Sequence, residues 1–348
     1  MIVATPVYIA GLGLASCLGL NLSAALQQIA QPPLPVLRRV QSAEADIPYH
    51  AITYPADSWA ERCAGLIRLV MAEAGALNPH AALYIASASL NVGAIEAGEP
   101  HAENIPDFLT EIAQILAWQG PVYWVNTACT SSLTALQLAQ TALAAGACDE
   151  AVVLGFELEN RLSLAGFAAM QLLSTTASRP FAADRDGLVL GEAVAAIRLS
   201  TQPTRWRLAG GAQVIDSSQA SGASVAAYQA MLAKSLASAQ LSLADIDLIK
   251  VQAAGSVAND AVEADALHEF FAELPALLSL KPLLGHALGA AGAAEIALLL
   301  ALLDAQQWPA VEKGGVLAQQ APARCRFILA CILGFGGSHS SVVIENIY

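Results

Sequence analysis

Val122-Tyr123-Trp124-Val125-Asn126-Thr127-Ala128-Cys129-Thr130-Ser131-Ser132-Leu133-Thr134-Ala135-Leu136-Gln137-Leu138-Ala139 begins as a β-branched and aromatic run and passes, through small polar residues, into a run with helical spacing. A strand that turns so tightly into a helix is the building unit of a layered α/β protein, and here the turn places Cys129 where the helix starts. A thiol at that corner faces backbone N–H groups without helical partners and the positive end of the helix dipole, which favour the thiolate and can hold an oxyanion. Cys129 is therefore the best nucleophile candidate in the chain. The alternative is a small buried hydrophobe, the commonest role of a free cysteine.

Outward from this corner the same rhythm repeats. Residues 7–11, 82–86, 122–125 and 151–155 have the length and composition of buried strands, and residues 22–30, 59–74, 108–118 and 133–145 carry apolar residues at three-and-four spacing. A second series has strand candidates at 207–210, 248–251, 327–330 and 341–344 and helix candidates at 225–239, 262–273 and 290–303. The pattern predicts helices covering sheets in two related halves, residues 1–200 and 201–348, divided near Ser200-Thr201-Gln202-Pro203-Thr204.

The 348 residues are 56% hydrophobic and only 13% charged, an unusually apolar balance. The most apolar stretch, residues 287–303, is interrupted by Glu295 and preceded by Gly285 and His286, so it reads as a buried helix rather than a membrane span. A surface this poor in charge predicts that a partner subunit covers part of it. The net charge of −13 argues against nucleic acid, which needs a basic face, and Arg38 and Arg39 read as ordinary surface charge. Cys17, Cys63, Cys148, Cys325 and Cys331 lack both the paired spacing of a zinc site and the density of a disulfide scaffold, so no metal is expected. Without a basic segment and apolar core at the N-terminus, the expected location is the cytoplasm. Gly11-Leu12-Gly13 lacks the rest of a dinucleotide fingerprint.

Several motifs occur together and in order: Thr127-Ala128-Cys129-Thr130-Ser131-Ser132; Arg179-Pro180-Phe181 with Asp184-Arg185-Asp186-Gly187 and Gly191-Glu192; Lys281 with Gly285-His286 and Gly289-Ala290-Ala291-Gly292; and Gly334-Phe335-Gly336-Gly337. In this set and over nearly its whole length, the chain resembles the β-ketoacyl-acyl carrier protein synthases, or ketosynthases. The resemblance implies a thiolase-like fold of five layers, αβαβα, from two duplicated halves, dimeric through the strand before the nucleophile. It implies that Cys129 accepts an acyl chain as a thioester from the phosphopantetheine of an acyl carrier protein, with no bound cofactor. By the same resemblance His286 is the second catalytic histidine, Lys281 orders the site with Glu263 as its buried partner, and Asn259-Asp260 with Glu263 completes the family spacing. The N–H of Phe335, beside Gly336, would complete an oxyanion hole with that of Cys129.

Three departures qualify the resemblance. Seven residues before Asn259, where the family has its first catalytic histidine, stands Gln252, which can donate a hydrogen bond but does not titrate. His268, about four helical turns further on, reads as an ordinary helix residue. Ser338-His339 stands where the family usually has Asn, so His339 is a weak candidate to restore an imidazole. Between Gly19 and Leu83 the chain is short, and residues 31–55 read as a loop replacing part of the family's helical cap.

Two functions follow as alternatives. One is a subunit resembling a chain length factor, weak or inactive alone, in a heterodimer with a complete ketosynthase of fatty acid, polyketide or polyene synthesis. The other is a self-sufficient synthase or acyltransferase, homodimeric, using Cys129 with Gln252 and His286. Familiar chain length factors replace the nucleophilic cysteine, whereas this chain keeps it.

Overall fold

The computed structural model describes residues 5–31, 38–41, 46–217, 222–310 and 315–348. In the first half, strands β1 (Val7–Ala15), β2 (Ala82–Ala86), β3 (Val122–Val125), β4 (Glu150–Glu157) and β5 (Ala193–Ser200) form a mixed sheet in the order β1-β5-β4-β2-β3. In the second, β6 (Trp206–Ile215), β7 (Leu248–Lys250), β8 (Ala276–Leu278), β9 (Phe327–Gly334) and β10 (Ser338–Asn346) repeat that order as β6-β10-β9-β7-β8. Strand directions match as well: the inner three strands of each sheet are antiparallel and the outer pairs parallel. β1 and β6 pair over Val7–Ile9 and join the sheets edge to edge.

Helices α1 (Trp59–Glu73), α2 (Ile105–Leu116) and α3 (Ser131–Ala144) connect the strands of the first half; α4 (Val225–Ala239), α5 (Val257–Phe270) and α6 (Ala291–Asp304) occupy the same positions in the second. Side-chain alternation along the strands sorts them into layers. Leu83 and Ile85 of β2 pack outward with Leu66, Ile67 and Val70 of α1, whereas Tyr84 faces inward with Leu133 and Leu136 of α3. Ile249 and Leu329 of the second sheet pack outward with Tyr228 and Met231 of α4, whereas Ile328 and Ala330 face α6. The result is the expected αβαβα stack, with α3 and α6 buried between the sheets. Ala291 to Leu302 are all buried, which is why that segment is apolar on every side without being a membrane span. Among the described residues no helix is long and apolar enough to cross a membrane.

α1, α2, α4 and α5 each start with a capping side chain, from Ser58, Asn104, Ser224 and Ser256. The central helices α3 and α6 have none; the N–H of their first residues, Ser131 and Ala291, bonds instead to the Ala128 and Leu288 carbonyls of the entering turns. Each enters through a non-glycine residue in the left-handed region, Ala128 at φ 55° and Leu288 at φ 40°, a conformation that costs roughly 1–3 kcal/mol and persists only where packing enforces it. The two residues occupy the same place before their helices.

The segment expected to be a loop contains structure. Arg38–Gln41 and Asp46–His50 pair antiparallel, and the second strand pairs in parallel with Leu190–Gly191. Ile47 and Tyr49 bury against Leu164, Phe167, Leu188 and Leu190, so an apolar face on a polar-looking segment made the difference. Residues 32–37 and 42–45 of that segment, and the side chains of Arg38 and Arg39, lie outside the described residues.

Candidate active site

The corner that carries Cys129 is built from hydroxyls. Ser131 Oγ accepts from the Thr127 N–H at 3.0 Å and donates to the Ala128 carbonyl at 2.6 Å, while Thr130 Oγ1 donates to the Thr127 carbonyl at 2.7 Å and meets Ser338 Oγ of β10 at 2.8 Å. These bonds hold Ala128 in its left-handed conformation and turn the Cys129 thiol inward, where the residue is 5% exposed. The backbone N–H groups of Phe335 and of Cys129 itself both favour the ionised sulfur, so both lie beside the candidate nucleophile. Gly337 follows at φ 69° with its α-carbon against the Asp216 carbonyl; a Cβ there would lie 1.8 Å from that oxygen, so this turn needs glycine.

His286 reaches the thiol from the second half. Its N–H donates to the Val189 carbonyl at 2.8 Å, and its carbonyl accepts from Gly191 at 3.2 Å, placing Nε2 3.1 Å from Cys129 Sγ. Phe167 packs edge-on against the imidazole at 6.5 Å and stacks on Phe335 at 5.3 Å, screening the pair from water. Full burial dominates the protonation of both partners. It pushes the Cys129 thiol up to about 11, against the lowering effects of Lys281 and the Phe335 N–H, and it holds His286 well below its ordinary range, helped by Lys281 and Lys250. The sequence expectation of a thiolate favoured by the helix start is thereby corrected: the resting pair is a neutral thiol on a neutral imidazole, because desolvation outweighs the helix end.

Lys281 is also corrected. Its ammonium pairs with Glu295 of α6, not with Glu263, and Lys250 of β7 pairs with the other oxygen of the same carboxylate at 2.6 Å. All three side chains are at most 1% exposed. Glu263 instead accepts from the Gln252 N–H at 2.8 Å, the Ala253 N–H at 2.7 Å and the Tyr228 hydroxyl at 2.7 Å. Asp260, one turn earlier on α5, accepts from Ala254 at 3.1 Å, Gly255 at 3.0 Å and Phe181 at 3.1 Å. Two carboxylates of one helix face thus satisfy four consecutive N–H groups and fix the segment that presents Gln252.

Gln252 and Asn259 line the same pocket as Cys129, His286, Phe167 and Phe335. Gln252 is buried and its Oε1 has no hydrogen-bond partner among the described residues. Among the described residues no second imidazole lines this pocket. His339 lies opposite Leu333 on the face of β10 that carries Ser341, whose hydroxyl meets Ser235 of α4, and so points away from the layer holding Cys129. His268 is exposed on α5. Gly336, exposed at φ 76°, forms the turn after Phe335.

Two acidic residues escaped the sequence reading as site elements. Glu157, at the end of β4, accepts from Ala88, Ser89 and Gly289, the last at 3.2 Å, and burial raises its carboxyl to about 7. Glu192, noted only as part of a motif, pairs with Arg62 at 2.6 Å and accepts from Ile52 and Glu159, tying the small sheet to the first half. An acid closing an apolar strand, as in Leu154-Gly155-Phe156-Glu157, was the available signal. Among the described residues no group of three or more His, Cys, Asp or Glu is arranged to hold a metal.

Two sheets of one topology around a pair of central helices, with a cysteine at the head of the first, define a thiolase-like protein. The chain belongs to the beta-ketoacyl synthase family: residues 108–205 match the beta-ketoacyl synthase N-terminal domain and residues 210–313 the C-terminal domain. It is 33% identical over 263 residues to 3-oxoacyl-[acyl-carrier-protein] synthase 2 of Rhizobium meliloti (strain 1021), covering 66% of this chain and 61% of that protein. To the putative polyketide beta-ketoacyl synthase 1 of Streptomyces halstedii it is 30% identical over 283 residues, covering 71% and 67%. Among solved structures, a ketosynthase in complex with its chain length factor from Xenorhabdus doucetiae matches with a TM-score of 0.84 at 23% identity, over 98% of each chain.

Proposed function

We propose that this chain is a ketosynthase-like subunit that works beside a complete β-ketoacyl-ACP synthase, in the manner of a chain length factor, during elongation of a fatty acid, polyketide or polyene chain. The observation that carries the reading is Gln252 in the pocket of Cys129 and His286. A condensing site must hold the thioester carbonyl of a malonyl unit and stabilise the charge that appears when carbon dioxide leaves. Glutamine offers an N–H but no proton that it can exchange, and losing one member of a cooperative catalytic set typically costs orders of magnitude. The outer position of β3, with Tyr123 exposed, supports pairing with a second subunit through that edge.

A second reading is favoured by the Cys129–His286 contact. An acyl group arriving as a phosphopantetheine thioester on an acyl carrier protein could be taken up by the thiol. The Cys129 proton passes to His286 as the sulfur attacks the carbonyl, and the N–H groups of Cys129 and Phe335 hold the resulting oxyanion. Collapse expels the phosphopantetheine thiolate, which recovers the proton from His286. Acyl holding of this kind needs no decarboxylation and is compatible with a partner role. Co-expression with a complete ketosynthase tests the proposal: co-purification as a heterodimer supports it, and a stable homodimer that never binds the partner overturns it.

A further inference from the structure

Ser132 carries a hydroxyl into the middle of the protein, wholly buried at the second position of α3. A buried hydroxyl needs an acceptor, and this one donates across the boundary between the halves, to the Gly289 carbonyl. The N–H of Gly289 donates to Glu157 Oε1 at 3.2 Å. Two side chains of the first half thus grip one residue of the second by both of its backbone polar groups. The fit is close: a Cβ on Gly289 would lie 2.8 Å from Glu157 Oε1 and 2.9 Å from the Ala88 nitrogen, so the socket is shaped for glycine. One turn further, at Gly292 of α6, a Cβ would lie 2.9 Å from Leu133 Cδ2 and 3.2 Å from Ser132 Cβ, so the two central helices touch beside the grip.

This grip lies next to the thiol–imidazole contact on both sides. Ser132 follows Cys129 by three residues, and Gly289 follows His286 by three. The 3.1 Å approach of His286 Nε2 to Cys129 Sγ and the bond from Ser132 to Gly289 are therefore successive rungs between the same two segments. At one end of the turn, Val189 and Gly191 hold the backbone of His286; at the other, Ser132 and Glu157 hold Gly289. Between them Leu288 stands at φ 40°, a strained conformation that lasts only while its surroundings over-determine it. Releasing Gly289 lets Leu288 relax, and the imidazole two residues earlier turns with it. We infer that Ser132 is a positioning residue: its bond to Gly289 keeps this turn closed and so sets His286 against the Cys129 thiol. In function this rests on Cys129 being the acyl-accepting thiol and His286 the group that takes its proton, a transfer that slows steeply when the two atoms are misplaced.

A double-mutant cycle separates positioning from packing. In the full chain, alkylation of Cys129 by iodoacetamide at about pH 7, where a neighbouring imidazole can take the thiol proton, is followed by peptide mass spectrometry. The proteins compared are the unaltered chain, Ser132→Ala, His286→Ala and the two substitutions together. Ser132→Ala should slow alkylation about tenfold while His286 is present, the scale of a misplacement below about 1 Å, and should change nothing once His286→Ala is in place. Ser132→Cys, which keeps a weaker donor of similar size, should recover part of the rate. Gly289→Ala, which drives the same residue out of its socket from the other side, should repeat the Ser132→Ala pattern. Circular dichroism and thermal unfolding show which variants are folded. Equal slowing with and without His286, or no slowing in a folded variant, would overturn the inference. Because iodoacetamide needs neither thioester nor carrier protein, a chain that alkylates in the expected pattern but takes up no acyl group overturns the acyl-holding reading alone.

Discussion

Glu295→Gln perturbs the buried charge cluster without leaving a cavity. Glutamine fills the same space, but its carbonyl oxygen can accept from only one of Lys250 and Lys281, and its amide presents N–H to the other. Both ammonium groups and Glu295 are at most 1% exposed, so water does not replace the lost charge. Breaking a buried pair by removing one partner costs about 3–5 kcal/mol, a large share of the roughly 5–15 kcal/mol that holds a domain together. With about 2.1 cal/mol/K of unfolding entropy per residue, this loss lowers the melting temperature of a 348-residue chain by about 4–7 °C. Burial already lowers Lys281 from its ordinary value of 10.5, and the variant lowers it further. A lysine with a depressed folded value binds more protons when unfolded, so stability rises with pH and the deficit shrinks as pH approaches 10.5. Chemical denaturation at pH 7 and pH 10 measures both effects, and adding Lys250→Met to the variant should recover part of the loss. A deficit below about 0.5 kcal/mol at pH 7, or one that grows with pH, would refute the reasoning.

Incubation with an acyl carrier protein thioester should add one acyl mass to the intact chain, and Cys129→Ala should abolish it; an adduct that persists in the variant would place the acyl group elsewhere. Glu157 and Glu263 should titrate near 7 by carbon NMR rather than at the ordinary 4.5. Because those folded values are raised, their contribution to stability is complete below pH 4.5 and is lost as pH rises through 7; two ordinary titrations would show the carboxylates to be solvated. Arg62→Ala strands the Glu192 carboxylate, 1% exposed, and should cost about 2–4 kcal/mol in denaturant unfolding; a neutral result would mean that the Ile52 and Glu159 N–H groups suffice.

The fold was legible where composition was extreme. Val122–Val125 has the predicted ends because Pro121 and Asn126 bound it, and Val225–Ala239 begins where predicted because Ser224 caps it. Ala193–Ser200 was missed: its alanines carry no alternation, since the strand is buried on both faces between α1 and α6. Around the candidate site, the motif positions of Cys129 and His286 were readable and their 3.1 Å approach was not, because the two residues come from different halves. The charge cluster left a trace in the sequence. Lys250 interrupts Leu248-Ile249-Lys250-Val251 and Glu295 interrupts an otherwise apolar helix, and stray opposite charges in two buried elements call for each other. Motif spacing pointed to Glu263 instead, which serves backbone N–H groups. The thiol's protonation was unreadable because it depends on burial, a property of the assembled layers.

The central claim is that Gln252 leaves a pocket that can hold an acyl group but cannot complete condensation alone. Its most direct measurement is carbon dioxide release from malonyl carrier protein by the purified acylated chain, as found and as Gln252→His. The account predicts background release from the unaltered chain and a rise of about 100-fold or more in the variant, the scale on which a positioned general acid or base acts. Robust release by the unaltered chain without a partner, left unchanged by Gln252→His, would contradict it.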